Sequence, residues 1–278
     1  MTPFAPAALD RLTAAYPERS VTLDHGLADH PLLALPALVA LAGRMRPGTV
    51  EHNLGALPVG VAPQDVPDNG LDPVATLEGI ATNGSWMVLK FIEQDLAYAR
   101  LLDEALAPVE AAIVPATGPM LKREGFVFVS SPGSVTPFHM DPEHNILAQV
   151  RGSKTFTVWP AGDPRFAPLA EHERFHAGGH RNLPFDERFL AAGEAHELTP
   201  GRAIYVPVKA PHFVRNGPEV SVSLSVTWRS GWSFREQYAH AMNGWLRGRG
   251  FHPTAPHRYP ADNHLKSLAW RVAQRLGG

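Results

Sequence analysis

Thr136-Pro-Phe-His139-Met-Asp141-Pro-Glu-His-Asn145-Ile-Leu-Ala-Gln-Val150-Arg-Gly-Ser-Lys154 is the stretch whose reading decides the fold. Its second half is a hydrophobic run at 145–150, a glycine turn at Arg151-Gly152-Ser153 and a second β-rich run at 154–159. That pattern suits a tight hairpin, with Gly152 free to take positive φ. Its first half sets a histidine and an aspartate two positions apart. Side chains at i and i+2 of a strand share a face, so His139 and Asp141 can both look into the interior of a barrel.

Working outward, further short β-rich runs fall at 125–130, 203–208 and 220–228, with turn residues between them. Many short strands spaced by turns predict an antiparallel jelly roll over residues 119–230. Residues 161–194 are rich in Gly, Pro, His and charge without a clean period, and read as an insertion beside the barrel. Residues 1–118 are expected to be mostly helical and to pack on the barrel. Helix-like spacing covers 7–16, 32–45 and 93–113, Asp72-Pro73 resembles an N-cap with proline at the first helical position, and 85–91 reads as a strand. Residues 231–278 turn helical again. There Leu265, Leu268, Ala269, Val272 and Leu276 form one apolar stripe, which suits either packing on the chain's own barrel or a homodimer contact through the C-terminal helices. The fold class expected is therefore a mainly β core flanked by N- and C-terminal helices.

Composition narrows the chemistry. The chain has 278 residues, 44% hydrophobic and 19% charged, as expected of a globular protein. The net charge of -2 and the lack of a long basic run argue against nucleic acid as a partner. Cysteine is absent, which excludes disulfides and thiolate ligands and leaves His, Asp and Glu as metal donors. The longest apolar run, 31–43, is too short to span a bilayer and contains Pro36. Met1-Thr-Pro-Phe-Ala-Pro lacks a basic segment followed by an apolar core, so no secretory signal is read and the cytoplasm is the expected compartment.

His-x-Asp alone is a weak signal, because a hydrogen-bonded core histidine beside a surface aspartate has the same spacing. A close pair followed far downstream by a single histidine, His212, is the order of a 2-His-1-carboxylate face. Such a face leaves coordination positions open and suits a non-haem Fe(II) oxygenase. His212 is expected in the connection between two later strands. Other histidines compete. His172, His176 and His180 have helical spacing, but Gly178-Gly179 breaks the run, and solvated loop histidines are the expectation. His144 is close enough to reach the mouth of the site but stands opposite in strand phase. Lys154 could offer a fixed cation to a diacid co-substrate from the start of its strand, and Thr136 could face the same interior; an exposed strand-end lysine is the plainer alternative.

With these residues in hand, the block 135–154 resembles the cupin-like JmjC oxygenases, and its Thr, His, Asp, Asn, Gln and Lys follow the order and spacing of their asparaginyl hydroxylase that represses hypoxia-inducible factor. The resemblance implies a double-stranded β-helix in which His139, Asp141 and His212 bind Fe(II). It implies that Thr136 and Lys154 hold the distal carboxylate of 2-oxoglutarate, that Asn145 lines the pocket near it, and that O2 is the second co-substrate. Departures lie outside the metal set: Pro200-Gly201-Arg202 where the family has Pro-Gly-Asp, Lys209-Ala210-Pro211 before the last histidine, and Ser225 or Thr227 as the polar residue of the final strand. Phe138, Phe156, Trp159 and Trp228 could surround the oxidant, although barrel core is the preferred reading for most of them. The activity implied is hydroxylation of a protein side chain or a small molecule. The alternative is a cupin-type metal-binding or sensor protein without turnover.

Overall fold

The structure is a computed structural model, and it describes residues 3–277. The chain opens with α1 (Pro6–Ala15), β1 (Val21–Asp24), α2 (Leu35–Ala42), β2 (Val50–Leu54), α3 (Pro73–Glu78), β3 (Ser85–Lys90) and α4 (Leu96–Thr117). The barrel strands follow: β4 (Leu121–Ser130), β5 (Val135–His139), β6 (His144–Arg151) and β7 (Lys154–Val158). After α5 (Leu169–His176) come β8 (Glu194–Leu198), β9 (Arg202–Val206), β10 (His212–Asn216) and β11 (Ser221–Arg229), then α6 (Gly231–Arg247) and α7 (His264–Gly277).

Two antiparallel sheets form a cupin-like jelly roll. The larger runs β1-β9-β6-β11-β4-β3-β2 and the smaller β5-β10-β7-β8. Gly152 takes φ 65° in the β6–β7 turn, as the hairpin requires. The N-terminal helices cover the outer face of the larger sheet, where Leu12, Leu38 and Leu106 pack on Met87, Val127 and Trp228. A second cluster, including Leu147, Phe156, Ile204 and Val214, fills the space near the smaller sheet.

Local capping explains the helix starts. Asp72 accepts the Ala75 N–H at 2.9 Å, ahead of Pro73. Asp95 caps α4 by accepting the Ala97 N–H, so that helix begins at Leu96 rather than at residue 93, and residues 92–94 form a 3₁₀ turn. β1 and β2 are four and five residues long and half exposed; they lack the alternation that would have marked them as strands, yet they close the two edges of the larger sheet.

Several expectations are corrected. His212 is the first residue of β10, not part of a connection. α5 runs through His176 because Gly178 and Gly179 lie beyond its end, and His172 is buried, so neither belongs to a solvated loop. His144 is buried on the helix side, where its Nδ1 meets the Tyr205 hydroxyl at 2.9 Å and its ring stacks on Trp228. On α7, Leu265, Leu268 and Val272 face outward, so the stripe does not pack on its own barrel; the Leu276 side chain lies outside the described residues.

The insertion is tied to the strand that carries His139. Met140 N–H donates to the Arg181 carbonyl at 3.2 Å, and Leu183 N–H to the Phe138 carbonyl at 2.9 Å. Phe138, fully buried, points away from the chamber described below into an aromatic cluster with Trp159, Phe185 and Phe189. Phe138→Ala is expected to cost about 3–5 kcal/mol by leaving a cavity there. Urea unfolding would read it; a change under about 1 kcal/mol would mean that the cluster does not anchor β5.

Candidate metal centre

β10 lies between β5 and β7, which sets His212 directly across from His139 in register. The ring centroids are 4.1 Å apart. Asp141 sits just past the end of β5, and its Oδ2 lies 3.6 Å from His139 Nε2 and 3.7 Å from His212 Nε2. One ligand atom from each of the three residues falls within 4.8 Å of the others. Two donors each about 2 Å from one ion are separated by distances of this order.

The outer ring nitrogens are already committed. His139 Nδ1 is 2.7 Å from the Pro137 carbonyl and His212 Nδ1 is 2.9 Å from that of Ala210. A carbonyl only accepts, so each Nδ1 carries the proton and each Nε2 presents a lone pair inward. Burial, with His139 nearby, pushes His212 down to about 3, so it stays neutral and ready to ligate. Phe156 stacks on the His212 ring at 4.9 Å. Burial works against the Asp141 carboxylate, but the Arg181 guanidinium leads the interactions that outweigh it and hold the group far below the usual carboxylate range.

Arg181 was not singled out in the sequence. Its Nη1 donates to Asp141 Oδ1 at 2.5 Å, leaving Oδ2 for the imidazole side. Nothing in the irregular 161–194 segment marks it; only the pairing of that segment with β5 delivers it. Glu143 was missed too, although it follows Asp141 by the same two-residue step that separates Asp141 from His139. It lines the chamber, and burial together with the Asp141 charge pushes it up to about 7.

All three residues open into a chamber of about 670 Å³ that Thr136, Asn145 and Lys154 also line. Lys154 is buried, not an exposed strand-end residue, and burial alone pushes it down to about 7. Asn145 Oδ1 accepts from the Ser225 hydroxyl at 2.8 Å, and Thr227 lines the same wall. The polar pair of the final strand therefore faces the chamber. Of the four aromatic candidates only Phe156 does; Trp228 is packed with Tyr16, His144 and Tyr205 on the helix side, and Phe138 and Trp159 in the aromatic cluster.

The donor set fits a divalent metal of the first transition row. It offers two neutral imidazoles, one carboxylate and an accessible chamber in place of a closed fourth ligand. The chamber also fits an acidic chelator, because its buried ammonium has no carboxylate partner among the described residues.

Comparison with known proteins places this geometry among relatives. A family profile described as "Cupin-like domain" matches residues 95–234. Lysine-specific demethylase 8 of Xenopus tropicalis is 28% identical over 102 residues, 34% of this chain and 23% of that protein. The lysine-specific demethylase JMJ30 of Arabidopsis thaliana is 35% identical over 102 residues, again 34% of this chain and 23% of that protein. The match thus spans about a quarter of the length of these relatives. Among solved structures, ycfD of E. coli superposes with a TM-score of 0.56 at 16% identity, over 95% of this chain and 67% of that one. The ribosomal oxygenase YcfD of Escherichia coli in complex with cobalt and 2-oxoglutarate gives a TM-score of 0.53 at 15% identity, covering 96% of this chain and 66% of that one. Identity this low speaks for the fold.

Proposed function

This chain belongs to the cupin-like domain family, and on that footing we propose that it is an Fe(II)- and 2-oxoglutarate-dependent oxygenase that hydroxylates its substrate. One observation carries the reading: a buried lysine without a counter-charge shares a chamber with a 2-His-1-carboxylate face. A metal-binding or sensor protein without turnover needs the second feature but not the first.

His139, Asp141 and His212 would hold the metal. Lys154 and Thr136 would hold the far carboxylate of the oxo acid by charge and by a hydroxyl donor, with Asn145 beside them. When bound, Fe(II), 2-oxoglutarate and O2 supply the oxidising chemistry that converts the oxo acid to succinate and CO2 and puts an oxygen atom into the substrate. The chain's own part is to position and to exclude water. The Pro137 and Ala210 carbonyls fix both imidazole tautomers, Arg181 holds the outer oxygen of Asp141, and Phe156 shields one face of His212. No side chain is required to take a proton from substrate.

A protein side chain is the favoured substrate class, since a relative is named a lysine-specific demethylase and a structural neighbour a ribosomal oxygenase. A small molecule is the alternative, and the chamber volume lies in the ordinary range for a ligand pocket. We take residues 119–230 as the catalytic unit, with 161–194 as one wall of the substrate approach. The outward stripe of α7 is left open for the homodimer contact that its pattern raised. Among the described residues no helix is long and apolar enough to cross a membrane, and the cytoplasm remains our proposed compartment.

The first test is succinate formation by the purified protein with Fe(II), ascorbate and 2-oxoglutarate under air. Turnover is expected. Uncoupled turnover can be slow without substrate, so calorimetric titration of 2-oxoglutarate into the anaerobic Fe(II) protein is the second measurement. Absence of both would overturn the oxygenase in favour of the sensor.

A further inference from the structure

The turn between β9 and β10 holds a residue that sequence chemistry alone would not put there. Lys209 adopts φ 59°, a left-handed conformation favoured by glycine, yet it carries a long charged side chain that is only 1% exposed. The main chain of Lys209 and of its neighbour Ala210 touches the metal centre at two points. The Lys209 N–H donates to the Asp141 carbonyl at 2.7 Å, and the next carbonyl, that of Ala210, accepts from His212 Nδ1. Moving this turn moves two of the three candidate ligands.

The side chain leads away from the chamber toward α6. Lys209 Nζ lies 3.2 Å from Oε2 of Glu236, itself 1% exposed. Glu236 Oε1 accepts from Arg258 Nη1 at 2.9 Å, and Arg258 in turn pairs with Glu18 at 3.0 Å. Arg258 also approaches the Val208 carbonyl, one residue before Lys209, at 3.4 Å. Around this chain sit His172, His176 and His240, with His172 stacked on His240 at 4.8 Å. Lys209 and Arg258 beside these imidazoles disfavour a second cation there, so the cluster is not read as another metal site. A buried charge pair costs solvation and is a poor source of stability, which leaves the question of what it does.

We propose that Glu236, acting through Lys209, fixes the β9–β10 turn and so sets the spacing of Asp141 and His212. Both are positioning residues for the metal centre, and neither lines the chamber. The left-handed residue is tolerated because its side chain is anchored from α6. The inference rests on the metal reading given above, and the test separates the two.

Co(II) is titrated into the metal-free protein and followed by its visible absorption, with thermal unfolding of each metal-free variant in parallel. Wild type is expected to bind. Lys209→Met is expected to bind Co(II) about 10–100-fold more weakly, the usual loss when a group that orients a ligand is removed. That variant also leaves Glu236 Oε2 without its cation, with Arg258 on Oε1 as the remaining partner, and could lose stability for that reason alone. Lys209→Met/Glu236→Leu removes both charges, so its unfolding temperature is expected near wild type or above. Its Co(II) affinity should still be at least about tenfold weaker, because the anchor is gone. A merely structural pair would move the unfolding temperature but not the affinity of a folded variant. Wild-type affinity in the double variant would overturn the positioning role alone. No Co(II) uptake by wild type would overturn the metal reading, and this inference with it.

Discussion

Asp141→Ala is expected to abolish Fe(II)-dependent succinate formation, with a loss well beyond the roughly 100-fold that removal of an outer-shell partner costs. The substitution deletes the one anionic donor between two neutral imidazoles, so a divalent ion loses both a ligand and its charge compensation. It also frees Arg181, whose guanidinium then stands beside the site without its partner. A cation there repels the metal further, so the two effects add. The prediction is checked with 2-oxoglutarate turnover and with Co(II) binding, which must fail together. Turnover retained within tenfold of wild type would remove Asp141 from the ligand set. The stability consequence has the opposite sense in acid. Asp141 is held far below the usual carboxylate range, so in wild type its contribution is present above the ordinary carboxylate pKa and is lost as pH falls. The Ala variant should therefore show a weaker loss of stability on acidification, read by unfolding at several pH values.

The three candidate ligands were legible as a group because they sit on, or just past, two strands that pair in the smaller sheet. His139 ends β5 and Asp141 follows just past the strand, its carboxylate 3.6 Å from the His139 ring, so the two-residue spacing pointed to the pair although the strand itself stops short of Asp141. His212 meets His139 because β10 is the neighbour of β5, a pairing that local spacing does not encode and that the order of residues in a known family suggested instead. The turn at Gly152 and the strand that starts at Lys154 were readable for the same local reasons. Arg181 was not, since its approach to Asp141 depends on residues 181–183 lying against β5 through main-chain hydrogen bonds, for which any sequence serves. The histidines of α5 were misread by letting Gly178-Gly179 veto the whole run. The helix needs only to reach His176, and the glycines end it. Lys209 and Glu236 carry no local signal at all, because their partnership joins a turn to a helix well downstream.

Lys154→Ala is expected to raise the 2-oxoglutarate dissociation constant by roughly 30-fold or more, the cost of truncating one partner of a buried charge pair. The metal face is untouched, so Co(II) affinity should be unchanged and turnover at saturating 2-oxoglutarate largely kept. The reason for singling out this residue is also the source of a pH dependence. Burial brings Lys154 down to about 7 in the free protein, against an ordinary value of 10.5. Between those two values the unfolded chain holds the proton and the folded chain does not, so this group makes the free protein more stable as pH rises from about 7. Binding runs the other way. A diacid needs the ammonium form, so above pH 7 binding must first take up a proton. Affinity for 2-oxoglutarate should be greatest below about 7 and fall toward tenfold per pH unit above it, while Lys154→Ala is flat over the same range. Calorimetric titration of the anaerobic metal-loaded protein at pH 6.5, 7.5 and 8.5, in buffers of different ionisation enthalpy, reads both the affinity and the proton uptake. A wild-type profile as flat as that of the variant, or affinity unaltered by the substitution, would take Lys154 out of the co-substrate pocket. The other cations among the described residues that line the chamber, Arg181, Lys90 and Lys122, are each paired with a carboxylate, Asp141, Glu51 and Glu124, so Lys154 is the one left to meet a diacid.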